Sequence, residues 1–398
     1  MKDERLAIHG GKRAVTVPAP TWPEIGESDR IALLQVLESG IWGGYHPSVA
    51  ELERRMAAAH GVSFGVAVAN GTVSLEIALA AAGVHPGDEV IVPPISFVAS
   101  ATAIARVGAV PVFADVDPQT INLDPRCAAD AITERTRAIV LVHFAGCPAD
   151  LDAFTGLCAA RNLALIEDCA HAPGALWRGR SVGSFGAFGS FSFQASKNLT
   201  AGEGGMLLTN DPDLAETARS IAHQGRRTGG AWYEHVRLGT NARLTGFQAA
   251  LLLSQLNRLP EQIRRRHAAA EQLRKGLQSI DGLDPTPSVL DPRVDAHAYH
   301  IFSTRLDPAR FGASRDQVVA ALVAEGAPVT MSYPHPLYRN RLFEAQPHRV
   351  ENCVHAEAYC RDGIWLPHQA LLADQAWIDA VLEAVTKVRT VSDSLARA

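Results

Sequence analysis

The clearest chemical signal in this 398-residue chain is a lysine set among small and apolar residues. Lys197 lies in the segment 190–209 (SFSFQASKNLTAGEGGMLLT), after an alternating strand pattern and before a glycine-rich run at 202–205. Glycine lets a ligand approach the backbone closely. Partial burial lowers the pKa of a lysine, which leaves a neutral amine for Schiff-base chemistry with a carbonyl group. The competing interpretation, an exposed lysine in a turn, stays open from this segment alone.

Two further candidates follow an apolar segment that ends in acids, residues 163–168 (LALIED). Asp168 falls at the carboxyl end of a predicted strand, where open α/β sheets bind ligands. A carboxylate there can keep the ring nitrogen of pyridoxal phosphate protonated, so that the ring accepts electrons. His171 follows three residues later and can hydrogen-bond the phenolic oxygen of that cofactor. A helix N-cap at Asp168 and a plain loop histidine at His171 are the alternatives.

A candidate phosphate site lies at 69–74 (ANGTVS), where a predicted strand passes into a predicted helix. Gly71 and Thr72 would offer backbone N–H groups and a hydroxyl to an anion. The same residues also make a good helix cap, so the motif alone is not specific. Phe97, just beyond Pro93 and Pro94, is placed to stack on an aromatic ring, and simple core packing is the alternative.

Alternating strands and helices must position these residues. The predicted strands are the short β-branched segments 66–68, 89–92, 110–113, 138–142, 164–166 and 205–209. The predicted helices between them are 72–82, 151–161 and 214–223. Alternation of this kind predicts an α/β fold with a mainly parallel sheet covered by helices.

The pattern changes in the last third of the chain. Residues 245–280 predict one long helix, interrupted or bent near Pro260, and beyond it lie a predicted strand at 298–306 and predicted helices at 315–325 and 375–387. We therefore predict an N-terminal arm (1–30), a large α/β domain (31–260) and a smaller α+β C-terminal domain (261–398).

Composition and charge narrow the function classes. The 37 basic and 42 acidic residues leave a net charge of −5 with no extended basic patch, so nucleic-acid binding is not expected. The N-terminal segment has no apolar signal-peptide core, and the most apolar stretch, 90–114, is interrupted by Pro93, Pro94 and Arg106, so no membrane span is predicted. Six scattered cysteines without a CxxC pair predict a reducing cytoplasm and no metal site.

Six ordered blocks of sequence resemble the DegT/StrS-type sugar aminotransferases, a fold-type I family that uses pyridoxal phosphate. The blocks are SGIWGG (39–44), NGTVSLEIAL (70–79), GDEVIVPPISFVASATAI (87–104), IEDCAHAPGA (166–175), FSFQASKNLTAGEGG (191–205) and GTNARLTGFQAA (239–250). The resemblance extends from about residue 6 to about residue 388. It implies pyridoxal 5'-phosphate as cofactor, with pyridoxamine 5'-phosphate as its intermediate form.

The resemblance also implies roles for single residues. Lys197 matches the Schiff-base lysine, Asp168 the partner of the ring nitrogen, His171 the position beside the phenolic oxygen and Phe97 the stacking aromatic. The matches to the phosphate contacts are Gly71, Thr72, Ser192 and Asn241. Because Asn241 matches a residue that reaches the phosphate of the neighbouring subunit, a homodimer with shared active sites is implied. The candidate substrate contacts are Trp42, Tyr333, Tyr338 and Arg243.

Lys197 favours amino transfer, because family members that replace this lysine with histidine are sugar dehydratases. The blocks most resemble the branch that moves an amino group from L-glutamine or L-glutamate to a keto-cyclitol such as scyllo-inosose, in aminoglycoside or related biosynthesis. Three alternatives remain: an aromatizing dehydratase of the 3-amino-5-hydroxybenzoate synthase type, an aminotransferase for nucleotide-linked keto-sugars, and a regulatory module that binds the cofactor without turnover. Tyr338 stands where the family commonly has histidine, so the acceptor is not assigned from sequence.

Overall fold

The computed structural model describes residues 5–395, so residues 1–4 of the predicted arm and 396–398 of the predicted C-terminal domain lie outside the described part. The helices are α1 (Glu27–Ser39), α2 (Pro47–His60), α3 (Gly71–Ala81), α4 (Ala99–Arg106), α5 (Pro125–Asp130), α6 (Leu151–Arg161), α7 (Pro212–Ala222), α8 (Gly246–Leu256), α9 (Leu259–Leu277), α10 (Pro308–Phe311), α11 (Arg315–Ala324), α12 (Val354–Asp362), α13 (Gln375–Thr390) and α14 (Ser392–Leu395). The strands are β1 (Phe64–Val68), β2 (Glu89–Val92), β3 (Val110–Phe113), β4 (Thr136–Val142), β5 (Ala164–Asp168), β6 (Leu176–Trp177), β7 (Arg180–Ser181), β8 (Phe188–Ser192), β9 (Gly205–Thr209), β10 (Leu283–Thr286), β11 (Val294–Ala296), β12 (Ile301–Leu306), β13 (Thr330–Met331), β14 (Arg349–Val350) and β15 (Gly363–Pro367).

The central sheet has the strand order β1-β9-β8-β5-β4-β2-β3-β14. Neighbouring strands are parallel except where β9 pairs with β1 and with β8. The β9 strand runs in the opposite direction because it follows β8 through a short loop, the one that carries Lys197, and no helix returns the chain to the other edge. The predicted mainly parallel sheet is confirmed.

Helices cover both faces of this sheet. One face packs against α2, α6 and α8, and the other against α3, α4, α7 and α12. The middle strands are buried on both faces. The sequence of β4 is accordingly a nearly continuous apolar run and does not alternate between apolar and polar residues. No helix within residues 5–395 is both long enough and apolar enough to cross a membrane.

Parallel pairing brings the carboxyl ends of the middle strands to one edge of the sheet. Val142 at the end of β4 lies opposite Asp168 at the end of β5, and Asp168 lies opposite Ser190 of β8. Helix α3 begins at Gly71, three residues after β1 ends. The predicted chemical residues therefore leave the sheet at the edge where open α/β sheets bind their ligands.

A second, antiparallel sheet of order β10-β12-β15-β13 lies in the last third of the chain. Its core also contains α9, α11 and α13, together with Leu6 and Val15 of the predicted arm. Strand β14, although late in the chain, pairs with β3 of the central sheet. Contacts thus cross both predicted boundaries, and the division at residues 30 and 260 stays a prediction.

Two predicted elements differ in the structure. The long helix expected at 245–280 is two helices, α8 and α9, because Pro260 has no N–H for the carbonyl of Leu256 and its ring would collide with that carbonyl. The strand expected from residue 298 begins at Ile301, since Tyr299 has a positive φ of 47° that no strand accommodates.

Candidate active site

A cavity of about 760 Å³ opens at the carboxyl edge of the central sheet. Most of the predicted site residues, which come from separate segments of the sequence, line it together. They are Gly71, Thr72, Phe97, Asp168, His171, Ser192, Lys197 and Tyr333.

Lys197 is half-buried in the loop between β8 and β9. Its backbone N–H donates to the carbonyl oxygen of Gln194 at 2.8 Å, which tightens the turn that presents the side chain. Burial lowers the pKa of the amine to about 8, even though the negative charge of Asp168 acts in the opposite direction. More of the amine is therefore neutral near neutral pH than for an exposed lysine, and the neutral amine is the form that Schiff-base chemistry needs.

The lysine loop is held by residues from both ends of the chain. The indole N–H of Trp22 donates to the carbonyl oxygen of Lys197 at 3.1 Å. His368 lies 4.7 Å from the Trp22 ring, between ring centroids, and its Nε2–H donates to the carbonyl oxygen of Ser196 at 2.9 Å. The buried guanidinium of Arg266 lies over Trp22 and donates to Nδ1 of His368 at 3.1 Å. None of these three supporting side chains was predicted from sequence.

Asp168 is buried at the end of β5 with both carboxylate oxygens engaged. Its Oδ1 accepts from the backbone N–H of Ala170 at 3.1 Å, and its Oδ2 accepts from the hydroxyl of Ser100 at 2.7 Å. The Ser100 hydroxyl in turn lies 2.7 Å from that of Ser96. These bonds fix the direction of the carboxylate, which suits a partner for a protonated ring nitrogen.

His171 is fixed as a neutral hydrogen-bond donor. The backbone N–H of Ala145 donates to its Nδ1 at 3.3 Å, so the single proton of the neutral ring lies on Nε2. Burial, with the nearby charge of Lys197, lowers the pKa of His171 well below its usual value. A donor in this place fits the predicted contact with a phenolic oxygen.

The start of α3 forms a cradle that fits a phosphate group. The side chain of Asn70 accepts from the backbone N–H of Val73 at 2.9 Å, which leaves the first N–H groups of the helix, at Gly71 and Thr72, without an acceptor inside it. A Cβ atom added to Gly71 would lie 2.6 Å from the Cβ of Ser192. Glycine is therefore what lets Ser192 approach the helix terminus, where an anion is stabilised.

The remaining predicted residues lie outside this cavity. Trp42 and Asn241 are exposed, and Arg243 is half-buried with its Nη1 lacking a hydrogen-bond partner among residues 5–395. Tyr338 packs against Phe113 and donates to Oε1 of a glutamate on α12 at 2.9 Å. The roles predicted for these four residues stay predictions, and within one chain nothing brings their side chains to the cavity lining.

His143, Glu167 and Cys169 form a buried cluster of the kind that can hold a metal ion. Its ligand atoms already have protein partners, however. Nδ1 of His143 accepts from a backbone N–H at 3.1 Å and its Nε2 lies 3.1 Å from Glu167, whose oxygens also accept from three backbone N–H groups of residues 183–186. The cluster is a hydrogen-bond network that holds the segment before β8, and we assign it no metal.

Buried neutral histidines predict acid sensitivity. Burial lowers the pKa values of five of them, and that of His368 reaches about 3. The set is His60, His171, His297, His300 and His368. Between the unfolded-state value near 6.5 and each lowered value, the unfolded chain binds more protons than the native one, so stability falls as pH falls. Each such histidine removes about 1.4 kcal/mol per pH unit.

We therefore expect the free energy of unfolding, measured by urea titration, to decline steeply from pH 6.5 to pH 4. His60, whose Nε2 has no partner among the described residues, offers a variant remote from the cavity. His60→Gln should flatten this decline, whereas His85→Gln, which changes an exposed histidine, should not. Equal slopes for the two variants would contradict the assignment.

Comparison with known proteins adds independent information. The family model described as the DegT/DnrJ/EryC1/StrS aminotransferase family matches residues 23–386. A putative L-glutamine:3-amino-2,3-dideoxy-scyllo-inosose aminotransferase of Streptoalloteichus tenebrarius is 40% identical over 415 residues, covering 98% of this chain and 99% of the relative. The 3-amino-5-hydroxybenzoate synthase of Amycolatopsis mediterranei is 38% identical over 391 residues, covering 95% and 98%.

Solved structures agree with these relatives. The crystal structure of 3-amino-5-hydroxybenzoic acid synthase superposes with a TM-score of 0.88 at 37% identity, covering 96% of this chain and 99% of the other. The fold is that of the fold-type I enzymes, and its cofactor is pyridoxal phosphate. From the family match over most of the chain and the full-length similarity to named aminotransferases, this chain is an aminotransferase that belongs to the DegT/DnrJ/EryC1/StrS family.

Proposed function

We propose that this aminotransferase moves the amino group of L-glutamine or L-glutamate to a keto-cyclitol of the scyllo-inosose kind, in aminoglycoside or related biosynthesis. The observation that carries the choice of acceptor is the charge of the cavity. Its lining within the described residues carries one cation, Lys197, and two acids, Asp168 and Glu203. A nucleotide-linked sugar brings a diphosphate, which proteins bind with several cationic or N–H donors. An uncharged polyol ring suits this lining better.

The chain's own residues divide the chemistry among them. Pyridoxal phosphate, when bound, supplies an aldehyde that takes up the amino group and a ring that accepts electrons from the donor carbon. Gly71, Thr72 and Ser192 would hold its phosphate, and Phe97 would cover one face of its ring. Asp168 would keep the ring nitrogen protonated, while the Nε2–H of His171 would bind the phenolic oxygen.

Lys197 is the proposed proton carrier. With a pKa of about 8, its Nζ is neutral often enough to take a proton from the α-carbon of the amino donor. The same Nζ, now protonated, would deliver this proton to C4′ of the cofactor, which leaves the amino group on the cofactor at the end of the half-reaction. In the second half-reaction the order reverses and the acceptor's carbonyl carbon receives the proton. The loop contacts from Trp22 and His368 hold the lysine in place for both steps.

Half-reaction measurements test this proposal. Enzyme loaded with pyridoxal phosphate should lose the visible absorbance of the aldehyde form when L-glutamine is added, and scyllo-inosose should restore it while an amino-cyclitol appears by mass spectrometry. Restoration by nucleotide-linked keto-sugars and not by keto-cyclitols would overturn the proposed acceptor. Loss of water from an amino-shikimate-type substrate without transfer would instead indicate the aromatizing dehydratase.

A homodimer with shared sites is also part of the proposal. The exposed residue Tyr45 lies on the same side of the chain as Asn241, since Tyr45 contacts His223 and His223 bridges to Asn241, and Trp42, close to Tyr45 in the sequence, is exposed as well. Trp232 and Tyr233 add two further aromatic rings, each 77% exposed, in the neighbouring loop. An exposed aromatic surface of this extent supports a protein interface, and Asn241 would then reach the partner's phosphate site.

Mixing two inactive variants tests the shared site. In a dimer of Lys197→Met with Asn241→Ala, one site receives both substitutions and the other receives neither. After subunit exchange at equal amounts, about a quarter of wild-type activity should return, because half of the dimers are mixed and each has one intact site. Neither variant should recover when it is incubated alone. A mixture that stays inactive after exchange, confirmed by mass spectrometry of tagged subunits, would rule out sharing through Asn241.

The cysteines support a cytoplasmic location. All six are free thiols, and burial raises the pKa of five of them well above the usual value of a thiol. Buried protonated thiols react slowly, so an oxidising compartment is not needed and a reducing one suits them.

A further inference from the structure

His300 stands at the junction of two cavities. It lines the cofactor cavity and also a neighbouring space of about 480 Å³, which we call the side chamber. The side-chamber lining among the described residues has no acid, lysine or arginine and consists of aromatic, hydroxyl, amide and apolar groups. Its polar members are Trp22, Gln194, Ser196, His300, Thr330, Trp365, His368 and Gln369. Such a lining suits neutral hydroxyl groups.

Hydrogen bonding fixes the tautomer of His300. The amide nitrogen of Asn198 donates to the carbonyl oxygen of Ala298 at 2.7 Å, so the amide oxygen of Asn198 faces Nδ1 of His300 at 3.0 Å. An amide oxygen only accepts, and Nδ1 must therefore carry the proton. Burial and surrounding positive charge, from Lys197 among others, lower the pKa of His300 well below its usual value, so the ring is neutral.

The other nitrogen of His300 is consequently a lone-pair acceptor. Its Nε2 has no hydrogen-bond partner among residues 5–395, nor does it belong to the fully enclosed polar atoms that lack one. His171, whose ring centroid lies 4.3 Å from that of His300 with the planes tilted by 32°, has the opposite tautomer and presents a donor. The two rings therefore offer one donor and one acceptor side by side in the cavity wall.

A strained backbone keeps His300 in place. The preceding residue, Tyr299, has a φ of 47°, a left-handed conformation that is strained for a bulky residue. Tyr299 is fixed there by bonds from Arg274 Nη2 to its hydroxyl at 3.2 Å and from its own N–H to Nδ1 of His297 at 2.9 Å. Gly146 closes the arrangement, because an added Cβ would lie 2.8 Å from both Tyr299 N and the carbonyl oxygen of His171. The loop cannot relax without disturbing both histidines.

We infer that Nε2 of His300 accepts a hydrogen bond from a hydroxyl group of the acceptor ring and thereby selects polyhydroxylated ketones. The inference rests on the proposed function and names a residue that recognises the acceptor substrate. The donor amino acid has no hydroxyl to offer, so His300 should act mainly in the second half-reaction.

Substrate analogues test the inference without any substitution. Wild-type enzyme whose cofactor already carries the amino group should be assayed in single turnover. The acceptors are a keto-cyclitol and analogues of it that each lack one ring hydroxyl. Loss of one particular hydroxyl should reduce kcat/KM by about 10- to 100-fold, because a built acceptor is left unpaired. If every deoxy analogue reacts within about threefold of the parent, the inference is wrong.

Two variants then assign that hydroxyl to His300. His300→Phe keeps a ring and removes the acceptor. Its kcat/KM with the parent ketone should therefore fall by about 10- to 100-fold, and removal of the critical hydroxyl from the ketone should lower it no further. His300→Gln keeps an acceptor oxygen, so its kcat/KM should lie between that of the wild-type enzyme and that of His300→Phe. Donor half-reaction rates should stay within about threefold, and the dissociation constant of the amino-cyclitol product, measured by calorimetry, should rise with the loss in kcat/KM.

The outcomes separate the two claims. An enzyme that accepts keto-cyclitols while His300→Phe impairs both half-reactions equally would overturn the role of His300 and leave the proposed function standing. An enzyme that accepts no keto-cyclitol would overturn the proposed function and this inference together. A folded state is checked in each variant by thermal unfolding, and if His300→Phe does not fold, His300→Gln assayed with the parent ketone and the deoxy analogues carries the same test.

Discussion

Lys197→Met should abolish amino transfer, by about 10⁴-fold or more, and at the same time stabilise the cofactor-free protein. The catalytic loss follows because methionine has no proton-carrying atom. The gain in stability follows from burial, which lowers the pKa of Lys197 to about 8 and so opposes its charged form. Below pH 8 the native state therefore carries a cost that methionine removes, about 1–3 kcal/mol after allowing for partial exposure.

Single-turnover assays and urea unfolding measure the two effects together. The stability gain should be full at pH 7 and should vanish above pH 10.5, where lysine is neutral in both states. Lys275→Met is the matched control, because its exposed side chain on α9 should change neither quantity. A Lys197→Met enzyme that retains even one-hundredth of wild-type transfer would contradict the proposed role, as would a loss of stability.

Asp168→Asn should have the second large effect and lower kcat/KM by about 10²–10³-fold. Asparagine keeps the size of the side chain and can still accept from Ser100, so the geometry of the site should survive. The missing element is the negative charge opposite the ring nitrogen. That charge also raises the pKa of Lys197, so the variant should lower this pKa further below about 8.

A pH–rate profile distinguishes this effect from misfolding. The maximal rate should fall while the acid limb of the profile moves to lower pH, a combination that a general loss of structure does not produce. Ser100→Ala keeps the charge and removes one hydrogen bond, so its loss should be about tenfold only. An acid limb that moves to higher pH in Asp168→Asn would show that Asp168 does not act on Lys197 in this way.

The features that sequence predicts well are set by local pattern. The strand preceding Asp168 and the helix that begins at Gly71 follow from short apolar segments and a capping asparagine, and the structure has both. Parallel pairing then places their ends together, because a parallel sheet gathers all its carboxyl ends at one edge. For this reason most of the predicted residues share one cavity.

The missed residues depend on contacts between distant segments. His300 falls inside a segment with the composition of a strand. It lies outside β12 because Tyr299 has a positive φ, and hydrogen bonds from distant residues hold Tyr299 in that conformation. Trp22 acts through the carbonyl oxygen of Lys197, and Arg266 acts through His368. In each pair the partner lies more than 100 residues away in the sequence. Neither has a neighbouring motif that marks it. Only the glycine at Gly146, next to a left-handed Ala145, is a residue type that hints at a close approach.

The hold of Trp22 and His368 on the lysine loop has a consequence for local unfolding. The two residues come from segments on either side of the central sheet in the sequence, and both donate to carbonyl oxygens of the loop. The phosphate cradle is built from other segments, at the start of α3 and the end of β8. Local opening of the segment that carries His368 should therefore free Lys197 while the cradle keeps its shape, so that phosphate binding and the positioning of Lys197 are separable properties.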